Sequence, residues 1–139
     1  MRSTEFQDEL SGLMKRFGKN NLPVIAVNAN HPMERQRFTL AHELAHFLLH
    51  ASSPLHVDSS QVYFRERHSS QSLDWKEIQA NQFAAALLMP RKMLIPDAFN
   101  EGVLTGLGDD VTRDGIRRLA KKYQVSEQAM TIRVGSLLN

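Results

Sequence analysis

Cysteine is absent from the 139 residues. Its absence excludes disulfides and every thiolate metal site, so a metal here has only histidine and carboxylate to hold it. That donor set suits a catalytic zinc better than a structural one. No apolar run approaches the roughly 20 residues that span a bilayer. The start, Met1-Arg2-Ser3-Thr4-Glu5, has no apolar segment of the kind a secretory signal needs. A cytoplasmic location without a membrane partner is the expectation. A strong charge bias is missing too: 17 Lys+Arg against 15 Asp+Glu leave +2, with a pI of about 9.2. So mild a balance permits an acidic partner or nucleic acid and argues for neither. Repeats and low-complexity tracts are also lacking. What remains is ordinary globular composition, 42% hydrophobic and 23% charged, at a length that fits one domain over residues 1–139.

Against this plain background one pentapeptide stands out, His42-Glu43-Leu44-Ala45-His46. It reads H-E-x-x-H inside a helical run, Phe38 to Leu49. Positions i and i+4 of a helix lie on one face, about a turn apart. Two imidazoles at that spacing can close on one zinc ion, with the intervening glutamate beside the water such an ion activates. A chance match arises in roughly one chain in a hundred of this composition, so the setting has to carry part of the weight. Most other positions of the helix are apolar, which points the histidines toward the core. Buried polar groups need partners, and a metal is a good one.

The flanking sequence gives an order of elements. Gly12–Phe17 and Pro23–Asn28 read as strands around the turn-forming Gly18-Lys19-Asn20-Asn21, a hairpin. Pro32 is read as the first residue of the motif helix, capped by Asn30 or His31 and ending near His50. Residues 61–67, with Tyr63, Phe64 and Arg65, read as an edge strand. Its charges serve either to discourage aggregation or to accompany pairing with an extended substrate backbone. A second strong helix runs from about Asp74 to Met89, followed by a short helix at Pro90–Asn100 and a loop at Gly102–Asp110. The last two helices are Thr112–Tyr123 and Ser126–Leu138, the latter capped by Ser126. The expected class is α+β.

A catalytic zinc takes three protein ligands and keeps one position open. His50 lies about 12 Å along the helix from His42, too far for one ion. It reads as a helix-end residue, favourable beside the negative end of the dipole. An extended motif would need glycine at position 49 and histidine at position 52, where the chain has Leu49 and Ser52. His56 and His68 sit in loop-like sequence without a supporting pattern. Glu77 is the best placed, since it begins the second helix and Asn81 follows one turn later, able to orient a histidine. Asp74-x-x-Glu77 equally matches a helix-capping box, in which Glu77 reaches back to the Asp74 amide. Both readings stay open on residues alone.

Taken together, Arg35 to His50 and Glu77-Ile78-Gln79-Ala80-Asn81-Gln82-Phe83 through Pro90 resemble the ImmA/IrrE family of metallo-endopeptidases. The match takes in Pro23–Asn28 and spans most of residues 11–95. The resemblance implies a small zincin-like fold, similar to thermolysin-like proteases whose third ligand is a glutamate on a second helix. It makes His42, His46 and Glu77 the ligands of one zinc ion (Zn2+) per chain, Glu43 the catalytic base and Asn81 a ligand-orienting residue. It also implies a setting in mobile elements, phages or stress circuits, where relatives cleave or inactivate a helix-turn-helix repressor. Other members resemble toxins or antitoxin-linked proteins. The expected function is thus zinc-dependent cleavage of a repressor or antitoxin, without the extra DNA-binding and sensor domains some relatives carry. Tyr63, His56, His68 and Arg65 are the candidate oxyanion donors beside zinc. Arg35 and Arg37 are read as partners for carboxylates.

One segment supports a competing function. Ile116 to Val134, within the helical pair 112–138, has helix-turn-helix spacing and carries Arg117, Arg118, Lys121, Lys122 and Arg133. Its second helix offers only Gln128, Thr131 and Arg133 to base edges, and Glu127 at its start repels phosphate. DNA binding is therefore not the expected role. The alternative function is a non-catalytic regulator or toxin-type protein that binds a repressor, antitoxin or DNA through these helices.

Overall fold

Four residues, Gly18 to Asn21, reverse the chain between the first two strands, and the turn depends on left-handed backbone at Gly18 (φ 72°) and Asn21 (φ 54°). Glycine and asparagine are the residues that tolerate that conformation best. In the computed structural model, which describes residues 10–50, 63–66, 75–105 and 108–138, the flanking strands are β1 (Leu10–Phe17) and β2 (Leu22–Val27). They pair antiparallel from Phe17↔Leu22 to Gly12↔Val27. The expected hairpin is present, with β1 starting two residues earlier than read. The remaining elements are α1 (Met33–His50), β3 (Tyr63–Glu66), α2 (Trp75–Leu88), α3 (Arg91–Asn100), α4 (Asp109–Tyr123) and α5 (Glu127–Leu137). The class is α+β. By contact the chain divides at Ala84/Ala85 into two compact units.

In the first unit the sheet order is β2-β1-β3, with β3 antiparallel to β1 and an irregularity in β1 between Leu10 and Leu13. The edge position read for residues 61–67 holds for the part described. Helix α1 packs on β1 and β2. Gly12 and Met14 are the buried positions of β1, the two-residue period of a strand with one face covered. Gly12 has no Cβ for a packing reason. A Cβ there would collide with Thr39 Cγ2 and stand 3.1 Å from Ala26 O and 3.7 Å from Glu43 Cγ. The bare backbone lets α1 sit down on β1 at the turn that carries Thr39 and Glu43.

Asn28 joins sheet to helix. It is 1% exposed, and its side-chain nitrogen donates to Leu10 O at 2.9 Å while its oxygen accepts from the Asn30 amide at 2.9 Å. Read as the end of a strand, it is instead an Asx turn that steers the chain into α1. The first helical carbonyl belongs to Pro32, which accepts from Gln36 N at 3.0 Å. Pro32 thus stands at the cap and not one residue inside the helix as expected. Arg35 Nη2 donates to Ser11 Oγ at 3.0 Å, and the Arg16 guanidinium lies 5.2 Å from the Phe47 ring centre. Both tie α1 to β1.

The second unit has a core of Met89, Leu94, Ala98, Leu119, Met130 and Val134 among others. Ser126 caps α5 as read, accepting from Ala129 N at 3.0 Å. Helix α4 starts at Asp109, three residues before the expected Thr112. Gly108 (φ 115°) makes the entry, and Asp109 and Asp110 stand in the first turn, where acidic side chains favour the positive end of the dipole. The loop read for 102–110 is shortened accordingly. Tyr123 donates its hydroxyl to Asp97 at 2.7 Å, and burial, then the Asp97 carboxylate, push the phenol up to about 12. None of the described helices is long and apolar enough to cross a membrane.

Gly12→Ala is expected to destabilise the chain by about 1–3 kcal/mol, because overpacking against backbone and a β-branched side chain leaves little room to relax. Urea denaturation checks it. A variant as stable as the wild type would mean that α1 is not seated this closely on β1.

Candidate metal centre

The buried stripe of α1 is a polar one. Thr39, His42, Glu43 and His50 are buried with Ala41 and Ala45, while Leu40, Leu48 and Leu49 are about half exposed. A helix that turns imidazoles and a carboxylate inward has to satisfy them there. Helix α2 does so. His42 Nε2 lies 3.1 Å from Glu77 Oε2, and His46 Nε2 lies 2.8 Å from Glu77 Oε1. The two Nε2 atoms are themselves 2.9 Å apart. His42, His46 and Glu77 are the group of three metal-capable side chains that converge among the described residues.

This arrangement fits a cation. The two Nε2 atoms, 2.9 Å apart, both face the Glu77 carboxylate, and a positive charge between them is a partner that all of these donor atoms can share. A tetrahedral zinc with bonds near 2.0–2.1 Å places its donors about 3.3 Å apart, within a few tenths of an ångström of the separations seen. Glu77 is prepared for such a role. The hydrogen bond to His42 first, and that to His46 second, hold its carboxyl well below the usual carboxylate range against the opposing effect of burial. The carboxylate is turned to the imidazoles, and Asp74, the other half of the capping box, lies outside the described residues. Exposure rises from His42 (0%) through His46 (16%) to Glu77 (39%), so the group opens to solvent on the Glu77 side.

Asn81 stands one turn beyond Glu77, and its Oδ1 is 2.8 Å from His42 Nδ1. A carbonyl oxygen accepts, so Nδ1 carries a hydrogen, and Nε2 is the nitrogen free to give its lone pair to a cation held between the ring and Glu77. Glu43 is 2% exposed, next to His42 and beside the space left by Gly12. Tyr63, Phe64 and Arg65 lie on β3, where Tyr63 pairs with Met14 and Phe64 with Leu13. His56 and His68 fall outside the described residues.

His50, Gln79 and Trp75 adjoin the site. His50 ends α1, as read, and is also buried against its neighbours. It is 6% exposed, its Nδ1 lies 2.9 Å from His46 Nδ1, and its Nε2 lies 3.0 Å from Gln79 Oε1. The Trp75 ring stands perpendicular to it at 5.7 Å. The signal for His50 is the repeat 42, 46, 50 along one helix face.

The sequence model of the peptidase family described as "IrrE N-terminal-like domain" matches residues 4–134. The chain belongs to the ImmA/IrrE family. It is 36% identical over 103 residues to the "Radiation response metalloprotease IrrE" of Deinococcus deserti, covering 74% of this chain and 32% of that one. It is 39% identical over 103 residues to the protein of the same name from Deinococcus radiodurans, covering 74% and 28%. The chain therefore spans about a third of the length of these relatives. No solved structure matches it significantly.

Glu77→Ala is expected to weaken divalent-metal affinity more than about 100-fold, since even residues that merely orient a ligand are worth 10–100-fold. Elemental analysis after zinc loading reads it. Unchanged metal content would leave Glu77 with the capping role.

Proposed function

We propose that this chain is a zinc-dependent endopeptidase in which His42, His46 and Glu77 hold one zinc ion and Glu43 is the general base. The observation that carries the reading is the convergence of three donor atoms from two helices, with an ionised carboxylate among them. The likeness to two proteins named as metalloproteases supports it. When bound, zinc supplies a positive charge that acidifies water and polarises a carbonyl. The chain's own residues do the rest. Glu43 takes the proton from the attacking water and returns it to the leaving nitrogen. Asn81 holds His42 with its Nε2 lone pair inward. β3 pairs with β1 and has no second neighbour among the described residues, so an extended substrate segment can add to its outer edge past Tyr63, Phe64 and Arg65.

The substrate we propose is a cytoplasmic helix-turn-helix repressor or antitoxin, in keeping with the family to which the chain belongs. Direct DNA binding through the C-terminal helices is the weaker reading, because four of their basic side chains have partners within the chain. Arg118 meets Glu101 at 2.6 Å, Lys122 meets Asp97 at 2.9 Å and Arg117 meets Glu127 at 3.5 Å. Arg133 Nε donates to Met89 O at 3.1 Å, and Thr131 Oγ1 bonds back to Glu127 O at 2.8 Å. Of the three side chains suited to base edges, two have these internal partners.

Glu43→Gln is expected to bind zinc as the wild type does and to cleave roughly 10²–10⁴-fold more slowly. Purified chain, zinc and repressors encoded beside it, resolved by mass spectrometry, provide the assay. Discrete fragments that vanish with a chelator and in the variant support the reading. Full cleavage by Glu43→Gln removes Glu43 as base, and no cleavage of any such partner removes the proposed substrate class.

A further inference from the structure

The third histidine of the α1 row has a task of its own. We propose that His50, held by Gln79, is a positioning residue that fixes the tautomer of His46. The inference rests on the metal reading for what the tautomer is for, and on the geometry of four atoms for what the tautomer is.

The argument starts at the far end. Gln79 Oε1 is a carbonyl oxygen and can only accept, so His50 Nε2, 3.0 Å away, carries a hydrogen. A neutral His50 then has its lone pair on Nδ1. His46 Nδ1 lies 2.9 Å from that lone pair and must be the donor. A neutral His46 with hydrogen on Nδ1 has its lone pair on Nε2, the atom 2.8 Å from Glu77 and 2.9 Å from His42 Nε2. His42 reaches the same state in one step, through Asn81 Oδ1 at 2.8 Å. His46 reaches it in two, with His50 as the relay.

Direction matters because the relay runs equally well in reverse. Turning the Gln79 amide over would present its N–H to His50 Nε2. His50 would then donate from Nδ1, His46 would accept there, and a hydrogen would stand on His46 Nε2, where a metal needs the lone pair. Oxygen-inward Gln79 is therefore the orientation compatible with a ligand His46. One helix supplies every partner: α2 gives Glu77 and Asn81 to the ligand end of the row, and Trp75 and Gln79 to its distal end. His50 is buried and packed edge-on against Trp75, so its ring has little freedom to rotate out of the relay.

The test reads both tautomer and affinity on the full chain. Nitrogen-15 NMR of the zinc-loaded protein, in which the metal takes the His46 Nε2 lone pair and leaves hydrogen on Nδ1, should find His50 hydrogen on Nε2 and its Nδ1 accepting. His50→Phe keeps an aromatic ring against Trp75 and removes the acceptor. It should weaken zinc binding about 10–100-fold in chelator competition, the range found for ligand-orienting partners. His50→Gln restores an acceptor oxygen and should recover most of that loss. Gln79→Leu, at an exposed position, should shift the His50 signals toward the other tautomer and serves if His50→Phe does not fold. Hydrogen on His50 Nδ1 in the zinc-loaded wild type, or zinc affinity unchanged in His50→Phe, would overturn the relay. A wild type that binds no zinc would overturn the metal reading and the relay with it, whereas zinc bound equally well by the wild type and His50→Phe would overturn the relay alone.

Discussion

A buried imidazole has two nitrogens, and a fold that hides one must provide for both. The first unit of this chain is arranged around that requirement. His42 and His46 present one nitrogen each to Glu77, and their other nitrogens meet Asn81 and His50. Every one of those partners lies on α2 or farther along the same row of α1. The requirement explains why α1 buries a polar stripe and leaves several leucines half exposed. It also explains why α2 carries side chains that would otherwise be ordinary surface residues, such as Gln79 and Asn81.

The sheet serves the same end from below. Two devices hold α1 at the right height and angle: the missing side chain at Gly12, which allows close approach at Thr39 and Glu43, and the Asn28 turn, which sets where the helix begins. Glu43 faces this packed layer while His42 and His46 face α2. A helix can offer a base and two ligands at once because residues 42, 43 and 46 share a broad face without sharing neighbours. The second unit is built differently. It is a helical core in which Arg118, Lys122, Arg117 and Arg133 close on Glu101, Asp97, Glu127 and the Met89 carbonyl.

The site was legible in part because its key spacings are local. The i, i+4 relation of His42 and His46 is a property of any helix, and the motif run needed no tertiary information to be read as one. Glu77 was harder, since the same position satisfied a capping box. His50 was legible as a member of the row and as the end of the helix, while its contacts with His46 and Gln79 were not, because they depend on how side chains of two helices meet. Gln79 carried no signal at all: its importance is a contact across 29 positions of sequence with His50. Asn28 looked like a strand residue because its hydrogen bond to Leu10, 18 residues earlier, is invisible to periodicity.

Sequence by itself determined the α+β order of elements, the hairpin turn, the cap at Ser126, the face shared by His42 and His46, and the exclusion of thiolate chemistry. Each of these follows from backbone preference or side-chain period over a few residues. Tertiary structure alone decided that Glu77 turns its carboxylate to the imidazoles, that Gly12 makes room for Glu43, and that His50 and Gln79 stand behind His46. Those outcomes depend on how α2 crosses α1 and how α1 rests on β1, and orientation between elements is set by packing that no local pattern records.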